Sequence, residues 1–512
     1  MNRLDGREDV QAALRLLTRA LGARGSWFLR EGRESSVFEL RRGEWELRVA
    51  GGGLVFSYWG ESGARAWRVA AWRAEGEGFH LEAVRRAGAG RALLSLVPRA
   101  LVSSERETVA EARRAECERL AALVCEFAGA RVEQASLSQG ARRGEPGRWA
   151  RVLLRMKAGG YERVAVSAPV VPAGAESVEN FVTSALLWFL RLGEGGRVAQ
   201  RLWLVAPQSL AAAVCERLPL LREGLRECVS VYELREGERG LSPSRVPTLE
   251  ELLNSSAERL PRGSEWAPSE LAASIVSLAP HEIDFVRARH GETLRFRGLP
   301  FARVRRVAGS AHLWFGVGGR RQLFEEGSES DFLNLLAALK EHRRADAPER
   351  RHALYRAAPE AWLESLLRRD VTRLDPGLRL APIHAQFRAA PASGATAARP
   401  VDLLALRRDG RLVVVELKVS EDASLALQGA DYWRRVEAQR RAGHVARARL
   451  FGDAPISEEP PLLYLVAPML RFHRAFHTLA RCLSPRVEAY RLDLNEGWRA
   501  GVRVVRRSPV NQ

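Results

Sequence analysis

RPVDLLALRRDGRLVVVELKVSEDASLALQGADYWRRVEAQRR, residues 399–441, holds two apolar runs, a tight turn and a helix. Leu403 to Leu406 reads as a short apolar strand, and Asp409-Gly410 as a tight-turn signal. Leu412 to Val419 is a second, mostly apolar run, the pattern of a strand covered on both faces. Three ionisable side chains interrupt this hairpin. Asp402 opens the first strand. Glu416 and Lys418 share a face of the second, because residues i and i+2 of a strand point the same way. Pairing the strands brings Asp402 alongside them. Burying two carboxylates and an ammonium is costly unless they pair or bind a metal. Carboxylate oxygens suit a hard divalent ion such as Mg²⁺, with Mn²⁺ as a substitute. The bland alternative is a solvated Glu416–Lys418 pair on an edge strand, with Asp402 capping a turn.

The chain has 80 basic residues, of which three are lysine: Lys157, Lys340 and Lys418. Arginine fills every basic position where either cation serves, so each lysine marks a place where arginine will not do. One of the three falls in this hairpin, while Lys157 and Lys340 have no acidic constellation around them.

Pro400-Val401-Asp402, followed fourteen residues after the aspartate by Glu416-Leu417-Lys418, resembles the PD-(D/E)xK nuclease superfamily. Gln428-x-x-x-Tyr432 resembles the helical QxxxY element of its RecB-like branch. PEAWLESLLRRDVTRLDPGL (359–378), followed by Gln386, resembles the first helix and strand of NucS-type endonucleases. The likeness spans about residues 355–495. It implies a restriction-endonuclease-like α/β fold and Mg²⁺-dependent hydrolysis of DNA phosphodiesters. Branched, mismatched or single-strand-containing DNA is the implied substrate class. Asp402, Glu416 and the Leu417 carbonyl would bind the metal, which polarises the phosphate and acidifies a bound water. Lys418 would position or deprotonate that water, with a lowered pKa near cations in a partly dry site. Glu364, or Glu360 one turn earlier, would orient water or a second metal. Gln428 and Tyr432, four apart on one helix face, would hold the nucleophile and a phosphate oxygen. The rival reading is a catalytically inert DNA-binding or scaffolding protein that keeps the fold.

Composition frames these readings. The 512 residues are 46% hydrophobic and 28% charged, a folding composition. No apolar run approaches the ~20 residues of a membrane span. The N-terminus lacks the apolar core of a signal peptide. Five scattered cysteines without a CxxC pair argue against a disulfide framework or a structural zinc. The expectation is a cytoplasmic protein with no membrane association. A net charge of +18 favours a polyanionic partner, here DNA.

The sequence reads as written twice. VFELRRGEWELRV (37–49) resembles DFVRARHGETLRFR (284–297), and LWLVAP (202–207) resembles LYLVAP (463–468). Gln139 with Gln386, Trp188 with Trp433 and Tyr232 with Tyr490 match in the same order. The fold class expected is α/β and α+β: a tandem duplication of a strand-rich module followed by a restriction-endonuclease-like α/β module. The expected boundaries are 1–104 (strand-rich), 105–235 (degenerate nuclease-like), 236–270 (linker), 271–346 (strand-rich, arginine-faced) and 347–512 (nuclease). Within the linker, Thr248 caps a short helix at Leu249–Asn254. Residues 389–400 read as a flexible loop.

The first α/β unit lacks the site. Trp149-Ala150-Arg151 stands where Asp402 is expected, and Val164–Ala168 carries neither acid nor lysine. Thr183 and Leu187 stand near the positions of Gln428 and Tyr432. The expectation is an internal pseudo-dimer with one active site per chain that nicks DNA, unless the whole chain forms a homo-oligomer. In the second strand-rich module, Arg287 and Arg289, Arg295 and Arg297, and Arg303 and Arg305 each follow i, i+2 spacing. One arginine face contacting DNA phosphates is expected, or else a solvent face in an arginine-rich chain. His473, His477 and Cys482 lack a companion glutamate and read as surface or packing residues. Gly51-Gly52-Gly53 has no phosphate-loop lysine after it.

Overall fold

A computed structural model describes every residue except 1, 5, 24–25, 32–36, 42–44, 61–62, 76–77, 86–90, 99–101, 141–145, 157–161, 171–177, 195, 197, 235–239, 256–259, 261–266, 289–290, 308–309, 319–320, 388–400 and 512. Lys157, Arg289, Pro400 and the 389–400 stretch therefore lie outside the described residues. The chain is mixed α/β and α+β, and its described strands form four sheets.

The first sheet is antiparallel, built from eight strands between Asn2 and Pro98. Helix Arg7–Gly22 lies on it through Val10, Ala13, Leu17 and Leu21, the spacing of one helix face. The strands within residues 37–49 do not pair with each other among the described residues. Strands Val37–Arg41 and Trp45–Ala50 stand at opposite ends of the strand order, paired with Ser26–Glu31 and Gly53–Gly60. Their counterparts Ile283–Ala288 and Gly291–Phe296 do pair, within a five-stranded antiparallel sheet. Alternating sequence fixes which faces are apolar, and leaves pairing partners open.

The other two sheets have six strands each and share one topology. In both, sequence-adjacent strands are spatial neighbours. The joins run antiparallel, antiparallel, parallel, parallel, antiparallel. A parallel pair needs a crossover, and a 17-residue helix supplies the first of the two in each sheet: Val178–Glu194 in one, Leu425–Arg441 in the other.

One core joins these two sheets. Phe181, Val182 and Leu204 from the first cluster with Leu404, Val414, Trp433 and Leu465 from the second. The opposite faces have separate cores, under helix Val102–Ala128 and helix Pro359–Arg369. The contact is reciprocal at Leu221 and Leu483, which stand at equivalent places before the fifth strands and form an antiparallel bridge. The Arg222 amide donates to the Cys482 carbonyl at 2.8 Å, and the Ser484 amide to that of Leu220 at 2.7 Å. Self-complementary pairing of this kind is what a two-fold relation produces.

The helix behind Thr248 forms as expected, at Leu249–Leu253. Thr248 Oγ1 accepts from the Glu251 amide, and the Glu251 carboxylate accepts from that of Thr248. Among the described residues no helix is long and apolar enough to cross a membrane.

Candidate active site

The hairpin read from the sequence is present: Val401–Leu406 pairs antiparallel with Leu412–Leu417. Its register, carried one pair past Leu403–Val415, sets Asp402 opposite Glu416. The second strand lies inside the sheet, buried throughout, and continues into Lys418. It is not an edge strand, so the solvated-pair alternative does not hold. Asp402 Oδ2 accepts from the Leu417 amide at 2.8 Å. Lys418 Nζ donates to Glu416 Oε1 at 2.6 Å and lies 3.4 Å from the Leu417 carbonyl oxygen. Glu416 Oε2 is buried and accepts no hydrogen bond from the described residues.

The electrostatics follow from this crowding. Burial, then the charges of Glu364 and Glu360, push the Asp402 carboxyl up to about 6 against the pull of Lys418 and the Leu417 amide. Burial and the facing Asp402 push Glu416 well above the usual carboxylate range. Burial lowers the Lys418 pKa, but Glu416 and Asp402 outweigh that and hold it above the ordinary lysine value; the lowered pKa expected beside a cation concerns the metal-loaded site. The ammonium donates to Glu416 and stands beside both carboxyls.

Asp402 opens onto a pocket of about 470 Å³ whose facing wall is the start of helix Pro359–Arg369. Both Glu360 and Glu364 line it, one turn apart on one helix face. Of the two, Glu364 is buried and engaged: Arg295 Nη1 donates to its Oε1 at 3.3 Å. Gln428 and Tyr432 meet as the QxxxY spacing suggests, with Gln428 Nε2 donating to the Tyr432 hydroxyl at 2.9 Å. Burial and the charge of Glu416 raise the Tyr432 pKa. Among the described residues no group of three or more His, Cys, Asp or Glu side chains is arranged as a metal site. The hard donors at hand are two carboxyls and one backbone carbonyl.

The six-arginine face does not form. Position 287 pairs with Glu292 in register, on the face of Ile283 and Phe285, opposite to that of Arg295. Arg295 is buried, held by Asp284 at 3.0 Å as well as by Glu364, and Asp284 also binds Arg368. Arg297 leaves the strand altogether. It sits at φ 45° in a turn with Gly298, whose absent Cβ would lie 1.9 Å from the Ala361 carbonyl oxygen. The expectation rested on period 2 within each strand, which does not fix how the faces of paired strands combine across a hairpin. Arg303 and Arg305 remain half-buried on the strand face away from the core, with no acidic partner among the described residues; burial and Arg305 lower the pKa of Arg303.

Two features escaped sequence reading. Arg343, fully buried, makes six hydrogen bonds to five carbonyls, among them those of Phe296, Arg297 and Ala358, and so ties the five-stranded sheet to the Glu364 helix. Asp431, inside the QxxxY motif, is buried among Arg217, Arg434 and Arg435. An acid followed at i+3 and i+4 by two arginines was the available signal for it.

The first six-stranded sheet repeats the register with different chemistry. Aligning LWLVAP with LYLVAP makes Leu204 equivalent to Leu465. Leu204 pairs with Ser167 as Leu465 pairs with Glu416, and Ser167 pairs with Arg151 where Glu416 faces Asp402. Arg151 and Ser167 thus stand at the positions of the two acids, and Pro169 at that of Lys418.

No family model matches the chain, and no curated protein matches it. Among solved structures, one of EndoMS in its apo form matches at 15% identity with a TM-score of 0.15, over 44% of this chain and 95% of that one. At that TM-score the likeness carries no argument, and the site stands on its own geometry.

Proposed function

We propose that this chain is a divalent-metal-dependent DNA endonuclease with a single active site, formed by Asp402, Glu416 and Lys418. The observation that carries the reading is Glu416 Oε2, a buried carboxylate oxygen with no donor, beside a second carboxyl at the head of an open pocket. A buried acceptor left without a donor is costly, and a cation satisfies it.

Mg²⁺, or Mn²⁺ in its place, fits this donor set of Asp402, Glu416 and the Leu417 carbonyl, and supplies Lewis-acid polarisation of a phosphate and a more acidic bound water. The chain's own groups do the rest. The Leu417 amide fixes the Asp402 carboxylate. Lys418, protonated at neutral pH, donates to a phosphate oxygen and offsets charge that grows in the transition state. Glu360 and Glu364 hold water on the facing wall, and Arg295 fixes Glu364. Gln428 orients the Tyr432 hydroxyl beside Glu416. DNA with branches, mismatches or single-stranded parts is the substrate class carried over from the sequence resemblance.

The second reading is an inert DNA-binding scaffold. It is favoured by the first sheet, where the same topology persists with Arg151 and Ser167 at the acid positions. A panel of labelled duplex, mismatched, branched and single-stranded DNAs, with Mg²⁺ or EDTA, separates the two. Cleavage that needs Mg²⁺ and is lost in Lys418→Ala supports the nuclease. No cleavage of any substrate with Mg²⁺ or Mn²⁺ supports the scaffold.

A further inference from the structure

The first sheet has a pocket of its own, about 450 Å³, at the place where the second sheet carries its acids. Arg151, at the Asp402 position, lines it. So do Thr183 and Leu187, the residues read as counterparts of Gln428 and Tyr432. Arg148 and Arg191 belong to the same wall, and Arg474 reaches in from the second unit. No Asp or Glu lines the pocket among the described residues.

Its polar groups are arranged as donors. Arg151 Nη2 donates to Ser184 Oγ at 3.2 Å, whereas its Nε is buried with no acceptor. Thr183 is 3% exposed, and its hydroxyl has no hydrogen-bond partner. A buried guanidinium N–H and a buried hydroxyl without partners are each costly, and an anion's oxygen is the acceptor each of them lacks. Burial and the charge of Arg191 lower the Arg151 pKa, so these two guanidinium groups repel one another. Clustered arginines with a free hydroxyl suit a phosphate group, whose oxygens accept in several directions.

We infer that this pocket binds a phosphate group of a DNA strand without cutting it: the position that holds a cation in the second sheet holds an anion in the first. The nuclease reading supplies only the identity of the ligand as DNA; the anion site follows from the pocket itself. Arg474 links the two halves, because it comes from the loop after strand Leu462–Pro468 of the cleaving unit and lines the pocket of the other. The site would grip DNA while the other cuts, giving a nick.

The test measures binding in EDTA, where no cleavage occurs, so that it does not depend on the nuclease reading. Fluorescence anisotropy of a labelled DNA duplex is followed against salt for the wild type, for Arg191→Ala with Arg474→Ala, and for Arg151→Ala. The first variant changes exposed residues and leaves the fold intact. It is expected to bind DNA about tenfold more weakly, with a log–log salt slope smaller by about 1 to 2. Calorimetry with inorganic phosphate distinguishes the source. Phosphate bound by the wild type and lost in the variants, with DNA affinity unchanged, supports the anion site but overturns its assignment to DNA. DNA affinity, salt slope and phosphate binding all unchanged in both variants overturn the proposal.

Discussion

At the scale of single residues, the account turns on charges held close together without water. Asp402 has a folded pKa of about 6, above the usual carboxylate value. The native state therefore binds more protons than the unfolded chain between about pH 4 and pH 6. That stability is fully present below about pH 4 and is lost as the pH rises through 6. Thermal melts in EDTA should show this decline, and added Mg²⁺ should reverse it above pH 6. Asp402→Asn removes the charge while its side-chain oxygen can still accept from the Leu417 amide. In EDTA at pH 7.5 this variant is expected to be more stable than the wild type by about 1–2 kcal/mol, discounted for the open pocket, and inactive in cleavage. A wild-type melting temperature for the variant would show that Asp402 is not strained. Lys418→Ala is expected to slow cleavage on the order of 10²–10³-fold through loss of one charged donor. The sequence exposed this triad because three polar residues broke an apolar hairpin and one was a rare lysine. It could not give the sign of the Lys418 shift, which depends on which charges stand nearest in space.

At the scale of elements, buried ion pairs fix where the site's helices lie. Asp431 holds the Leu425–Arg441 helix to Arg217 of the first unit, at 3.1 Å, and pairs within its own helix with Arg434, at 2.7 Å. Replacing it by alanine leaves buried guanidinium groups without their shared anion and is expected to cost about 3–5 kcal/mol. Denaturant unfolding measures this; a loss under 1 kcal/mol would contradict the role. Its three arginine neighbours outweigh burial and hold the Asp431 pKa far below the usual range, so this contribution persists until strongly acid pH. Arg295 acts in the same way on the Glu364 helix. Arg295→Glu sets a third carboxylate against Asp284 and Glu364, so it is expected to lower the melting temperature, and a DNA-binding assay alone would misread it. Period-2 alternation located the strands of this module. It failed on the arginine face because the hairpin register sets position 287 opposite to Arg295 and the Arg297–Gly298 turn ends the strand, and neither has a signal in alternation alone.

At the scale of the whole molecule, two sheets of one topology share a core and meet reciprocally at Leu221 and Leu483. Part of this was legible, since LWLVAP and LYLVAP mark the same buried central strand. The strand-rich parts were less so, because residues 37–49 and 284–297 look alike in sequence yet pair differently. The proposed function, with its acids in one sheet only, predicts nicking. Supercoiled plasmid with Mg²⁺ should give open circles before any linear form, and linear product first would mean two cutting sites acting together. The central claim, that Asp402 and Glu416 share one divalent ion, is tested most directly by a Mn²⁺ titration followed by electron paramagnetic resonance. One ion bound per chain, lost in Asp402→Asn and in Glu416→Gln, is the expected result. Binding retained by both variants, or absent from the wild type, would contradict it.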